Sequence, residues 1–463
     1  MERYLAGVCA LALDPPPGLP LAGYVGRNHS STGSHDSLCV RALYVTGKED
    51  PFLLLSCDLL GMDVETCQSV ARQIASAMPI APEKIIIACT HTHSGPQTMA
   101  RDTLSPPTMT WLEDMRKKLC ACALGAYQAA QPVCLRLHRG KTSIQQNRVL
   151  LANWGGKFTA NWEVRNWDAH PAETLQAFDR HLEQMRPLAA RMREDAVYVL
   201  RISPPDHEDD PIALLINVAC HPVALEYNNY LYSADFFYYA QASLHKQYPQ
   251  ATILFFNGCC GDMNPVQRGS FPEANRIGRI LAMDVRQALE SAGIPLYGDI
   301  HVCTRRLHTG YDVQYDRSEL LRRLSIYQAG QAATREKSDE IDYKIYTVYA
   351  AWARHFLKRM DNSTFDAGLC AEITLIRIGR LCIVALPFEV FSGVGDQIRH
   401  ELGTQTMICT YANGDLGYFI SNALYPVAKY ERFESYKFMM LPGAIRQSGQ
   451  RELCALLRNM RKT

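Results

Sequence analysis

Apolar positions fall along this chain in two rhythms. Short continuous apolar runs occur at 5–13, 38–46, 52–56, 85–89, 197–202, 212–218, 251–256, 371–378, 381–386 and 407–411. Runs of this length, rich in β-branched residues and bounded by turn residues, predict strands buried on both faces. Between them the spacing changes to the helical period. Val64, Cys67, Val70 and Ile74 mark a helix over 63–78, and further helices are predicted over 109–130, 172–186, 234–247 and 272–291, with another after 387 running to about 401. The order strand, helix, strand across 52–89 reads as a βαβ unit. The segment 141–167, with Gln145, Gln146, Asn147 and Arg148, is rich in Asn, Gly and Trp and reads as loop.

Residues 314–361 differ in character. They are long and charged, with Leu320, Leu321, Leu324, Tyr327, Ile345, Val348 and Trp352 at helical intervals. A helical hairpin inserted between core strands accounts for this. The predicted fold is therefore α/β, a mixed central β-sheet flanked by helices, organised as one domain over 1–463 with the insertion at 314–361.

Charge and cysteine content narrow the picture. The net charge is +1, from 48 basic and 47 acidic residues mixed in sign. Without a basic stripe there is no footprint for nucleic acid or an anionic membrane surface. No apolar stretch of about 18 residues occurs, so no stable membrane insertion is expected. The first residues lack a basic segment followed by a long apolar one. Many of the sixteen cysteines sit in or beside apolar runs (Cys57, Cys89, Cys220, Cys382) and read as reduced core residues. A soluble, cytoplasmic protein acting on a small molecule is expected, and a homo-oligomer is compatible with it.

The chemistry gathers where predicted strands stop. The run at 85–89 ends in Thr90-His91-Thr92-His93-Ser94-Gly95-Pro96. In an extended chain residues two apart share a face, so His91 and His93 can look into one cleft. One imidazole could bind a metal while its neighbour serves as acid, base or oxyanion donor. Other predicted strands run into His221, into the turn at 257–264 and into Glu389, the pattern of strand ends converging on one cleft. Two histidines and a glutamate with an open position form a catalytic zinc set. Each also has a structural explanation: His221 as a satisfied core histidine, Glu389 as a carboxylate at a helix N-terminus.

These stretches together resemble the N-terminal catalytic domain of the neutral, non-lysosomal ceramidases, amidases that use zinc. The resemblance is carried by Leu21-Ala22-Gly23-Tyr24, the His91 to Pro96 motif, Gln146-Asn147-Arg148, Ala219-Cys220-His221-Pro222, Gly261-Asp262-Met263-Asn264-Pro265, Leu386-Pro387-Phe388-Glu389, Tyr418, Tyr425 and Tyr430-Glu431, in the family's order. It implies that His91, His221, Glu389 and Tyr418 bind zinc and that His93 and Arg148 assist catalysis, with the Tyr418 phenol able to steady an oxyanion. Asn264 stands where the family carries a serine proposed as nucleophile. A carboxamide cannot attack as an alkoxide does, so the expectation becomes a zinc-dependent hydrolase cleaving an amide or ester of a small soluble substrate by metal-activated water, with Asn264 lining the pocket. The alternatives are a non-catalytic ligand-binding relative and a zinc-dependent lyase or isomerase. The chain is also shorter than the family's two-domain form.

Overall fold

The computed structural model describes residues 4–151, 194–337 and 341–462. The strands used below are β1 (Tyr4–Ala12), β2 (Cys39–Thr46), β3 (Pro51–Cys57), β4 (Ile85–Cys89), β5 (Gln131–Lys141), β6 (Gln145–Asn147), β7 (Ala196–Ser203), β8 (Ala213–Val218), β9 (Thr252–Asn257), β10 (Met263–Pro265), β11 (Ile300–Asp312), β12 (Gly368–Ile378), β13 (Leu381–Ala385), β14 (Glu389–Val390), β15 (Thr406–Cys409) and β16 (Tyr418–Phe419). The helices used below are α1 (Val64–Ala77), α2 (Met109–Gln128), α3 (Phe236–Leu244), α4 (Phe271–Leu289), α5 (Arg317–Ala333), α6 (Ile341–Asp361), α7 (Ser392–Leu402) and α8 (Gly449–Lys462).

Two mixed sheets carry the fold. The larger has the order β9-β8-β7-β5-β1-β2-β3-β4, and the smaller runs β15-β13-β12-β11 with Ala444–Ile445 at its edge. Alternation along the strands shows how they stack. Leu43, Val45, Leu54 and Ile86 of the larger sheet share one core with Ile376, Ile378, Ile383 and Met407 of the smaller. The opposite-facing Val40, Ala42, Leu53, Leu55 and Ile87 pack with α1 and α2, while Leu214, Ile216, Ile253 and Phe255 meet α3 and α4. On the far side of the smaller sheet, Leu375, Val384 and Ile408 cover α7 and α8. Most of these strands are thus buried on both faces, which is why they read as continuous apolar runs.

The parallel pairs matter for the site. β3 and β4, β8 and β9, and β13 and β15 each run parallel, so their carboxyl ends emerge together. Side chains tie those ends to one another. Asn257 Nδ2 donates to the Thr90 carbonyl at 2.7 Å, and Asn217 Nδ2 donates across the sheets to the Ile408 carbonyl at 2.9 Å.

The α/β class and the βαβ unit stand as read, and four elements were not legible. The segment over 145–148 is not simply loop: Gln145–Asn147 pairs antiparallel with Met263–Pro265. Its polar side chains conceal a ladder made by backbone groups. β5 and β11 carry basic and polar residues on partly exposed faces, so they lack an apolar signature. The amphipathic α8 lies in a tail rich in charge. The helices α5 and α6 emerge between β11 and β12, which pair directly, and pack on each other. The helix expected over 172–186 lies outside the described residues.

Candidate metal centre

His91 follows β4 by two residues, His221 follows β8 by three and Glu389 follows β13 by four, so three strand ends deliver them to one point. The chain at His91 is not extended. Its φ is 67°, in the left-handed region, a conformation that costs about 1–3 kcal/mol in a non-glycine residue. Convergence of His91 and His93 therefore comes from a turn in the backbone rather than from strand alternation. His91 Nε2 lies 3.4 Å from His93 Nε2, and His221 Nε2 lies 3.2 Å from the same atom. Glu389 Oε2 is 3.5 Å from His91 Nε2.

The far side of each ring meets a backbone carbonyl. His91 Nδ1 is 2.7 Å from the Leu60 oxygen, His93 Nδ1 is 3.0 Å from Gly23 and His221 Nδ1 is 3.2 Å from Cys260. A carbonyl only accepts, so each Nδ1 carries the proton and each Nε2 presents a lone pair. Three lone pairs facing one another repel unless a cation lies among them. Nitrogens bound about 2.0–2.1 Å from a tetrahedral zinc stand about 3.3–3.4 Å apart, close to the 3.4 and 3.2 Å that separate His93 Nε2 from the Nε2 atoms of His91 and His221. The three histidines alone bring their ligand atoms within 4.8 Å of one another. Burial and the neighbouring imidazoles hold the pKa values of His93 and His221 well below the usual histidine range, which favours the neutral rings.

Surrounding residues hold the imidazoles in place. Gly23 has φ 93°, and a Cβ there would sit 2.5 Å from His93 Nδ1, so only glycine lets its carbonyl reach the ring. Tyr411 stacks on His91 with centroids 3.8 Å apart, and its hydroxyl lies 3.4 Å from Glu389 Oε2 and 3.2 Å from Cys260 Sγ. Sequence reasoning missed Tyr411. Its place two residues past β15, the third parallel strand end, was the available signal.

Tyr418 lies beside Glu389 on the parallel ladder of β14 and β16. Burial and the Glu389 carboxylate push its phenol well above the ordinary range. The Arg148 guanidinium lies over the Tyr418 ring, 5.5 Å from its centroid, and pairs with Glu431 at 2.5 Å while donating to the Gly261 carbonyl at 2.6 Å. It is buried, not a solvated loop arginine.

A cleft of about 590 Å³ opens onto His91, His93, Glu389 and Tyr418. Arg148, His221 and Asn264 are outside the described residues that line it. Asn264, expected in the pocket wall, is buried in β10 opposite Gln146 of β6. The adjoining Asp262 is a structural hub, accepting hydrogen bonds from Ser392 N and Oγ and from Asn147 Nδ2 at 2.7–2.8 Å.

Comparison with known proteins gives the family and the fold. A family model described as neutral/alkaline non-lysosomal ceramidase, N-terminal, matches residues 5–276. Similar solved structures include the neutral ceramidase from Pseudomonas aeruginosa, with a TM-score of 0.70 and 15% identity over 100% of this chain and 75% of that one. A ceramidase complexed with C2 is similar to the same degree, at 0.70 and 15% over 99% and 75%. At that identity the likeness is one of fold. No curated protein matches the chain.

Proposed function

The chain belongs to the neutral/alkaline non-lysosomal ceramidase family, and from that premise we propose that it is a zinc-dependent hydrolase cleaving an amide, or an ester, of a small molecule. The observation that carries the reading is the convergence of three Nε2 lone pairs whose Nδ1 protons are each held by a carbonyl. His91, His221, Glu389 and Tyr418 would hold the ion. Bound there, zinc supplies a water of pKa about 7 and polarises the scissile carbonyl.

The chain's own residues divide the remaining work. His93 is less buried than His91 and His221, and it faces both the cleft and the ligand nitrogens. It would take a proton from the attacking water and return it to the departing amine. Arg148, fixed by Glu431, orients the Tyr418 ring, and the phenol donates to the developing oxyanion. Water is the nucleophile because the Asn264 carboxamide has no basic oxygen of alkoxide strength and sits off the cleft. The sixteen cysteines, all free, suit a reducing compartment, so we place the protein in the cytoplasm. Among the described residues no helix is long and apolar enough to cross a membrane.

Zinc analysis and product analysis test this reading. Wild type is expected to hold one zinc and to add water to an N-acyl amine, with a mass gain that an isomerase or lyase would not produce. The double variant His91→Ala, His221→Ala should lose the metal. His93→Ala should keep it and lose about 10²–10⁴-fold in kcat, the range for a removed general acid or base. Loss of zinc with His93→Ala would instead make His93 a third ligand, and a metal-free, fully active wild type would sink the proposal. The Asn264 substitution favours one competing reading, a binding protein without turnover; tight binding of an N-acyl amine that is never hydrolysed would establish it.

A further inference from the structure

His91, His221 and Glu389 come from three separate strand ends, and one side chain adjoins the surroundings of all three. Tyr411 is buried and lies outside the described residues that line the cleft. Its ring lies flat on His91, with centroids 3.8 Å apart and planes 15° from parallel. Its hydroxyl is 3.4 Å from Glu389 Oε2 and 3.2 Å from Cys260 Sγ. Cys260 is in turn the residue whose carbonyl faces His221 Nδ1.

The backbone of Tyr411 joins the same pieces of chain. Its carbonyl accepts from Cys89 N at 3.2 Å, at the end of the strand that leads to His91, and its N–H donates to the carbonyl of Phe388, the neighbour of Glu389, at 3.3 Å. It does so with φ at 53°, in the left-handed region, where a bulky residue is strained and persists only if its surroundings hold it there. The side chain also carries more than packing requires. A phenylalanine ring would cover the imidazole equally well, whereas a buried hydroxyl costs free energy unless it finds partners. Here the partners assign the protons. A ligating carboxylate only accepts, so the phenol O–H points to Glu389 Oε2, and the Cys260 thiol donates to the phenol oxygen. Thiol, phenol and carboxylate form an ordered chain that ends on the Glu389 oxygen 3.5 Å from His91 Nε2.

We propose that Tyr411 is the positioning residue of the metal centre: its ring sets the plane of His91 and its hydroxyl holds the ligating oxygen of Glu389, so that affinity for zinc depends on a side chain that takes no part in ligation or proton transfer. This rests on the zinc part of the hydrolase reading and is independent of the substrate. Hydrogen bonds to ligating groups orient them and strengthen metal binding, and the loss of one such partner is felt in the affinity itself.

Zinc affinity, measured by competition with a chromophoric chelator, tests this without any substrate. Tyr411→Phe keeps the ring and should weaken zinc binding by about tenfold to a hundredfold, the range for a lost hydrogen-bond partner of a metal ligand. Coupling to Glu389 separates positioning from packing. In a Glu389→Ala background the same Tyr411→Phe change should have no further effect, because the hydroxyl then has no ligand to hold, whereas a general loss of packing would weaken zinc by the same factor in both backgrounds. Unchanged zinc affinity in Tyr411→Phe, or an equal effect with and without Glu389, overturns the inference. If Tyr411→Phe does not fold, Cys260→Ser and Cys260→Ala decide, since both leave the ring in place: the serine should hold zinc as wild type does and the alanine less tightly, and equal affinity in the two overturns the inference in that event. A wild type that binds zinc and hydrolyses an N-acyl amine keeps the hydrolase reading whatever Tyr411→Phe does, and a wild type that binds no zinc removes both.

Discussion

Gly23 shows how a residue with no side chain can govern one that has chemistry. Its positive φ turns the carbonyl toward His93 Nδ1, and a Cβ in its place would overlap the ring. Gly23→Ala should therefore displace the imidazole while leaving the zinc ligands alone. A loss of about 10²-fold in kcat with zinc content unchanged is expected, the size of effect that a displacement of about 1 Å produces. Wild-type kcat in this variant would mean that the Gly23 carbonyl does not position His93. Arg148 and Glu431 illustrate the opposite dependence. Each is a charge made tolerable by the other, and the motif matches named both residues without revealing that they pair across 283 positions of chain.

At the scale of elements, the two sheets are joined by apolar contact and by one buried amide. Asn217 of β8 donates to Phe256 and Ile408 carbonyls at 2.8 and 2.9 Å and accepts from Ile408 N at 3.2 Å. Asn217→Leu leaves those backbone groups unpaired between the layers, at about 1–3 kcal/mol for each group stranded. Urea unfolding should show a lower midpoint with an unchanged slope, and an unaltered midpoint would show that the sheets do not depend on this bridge. Strand β4 was readable from Ile85, Ile86 and Ile87 alone because its two faces both enter cores. Strand β11 was not, because its pairing with β12 is a backbone property spread over polar side chains.

Over the whole molecule, stability must vary with pH through its buried titratable groups. Burial beside Arg201 pushes His138 from the ordinary 6.5 down to about 4. The unfolded chain binds the proton first, so this contribution is fully present above pH 6.5 and is lost as pH falls toward 4. Asp235 and Asp262, raised by burial from 3.8 to about 6, act with the opposite sign: the folded state holds the proton more tightly, and their effect on stability improves as pH falls from 6 toward 3.8. His138→Phe should flatten the loss between pH 6.5 and 4 relative to wild type in denaturation series, and parallel curves for the two proteins would remove His138 as a cause.

Sequence alone determined the alternation of strand and helix, the strand ends at which His91, His221 and Glu389 stand, and the reach of the family resemblance, because burial on both faces and turn chemistry leave local marks. The tertiary structure decided which atoms of those residues meet. The carbonyls that set the imidazole tautomers lie 31, 70 and 39 positions from their histidines, and a backbone carbonyl has no residue identity by which a sequence could announce it.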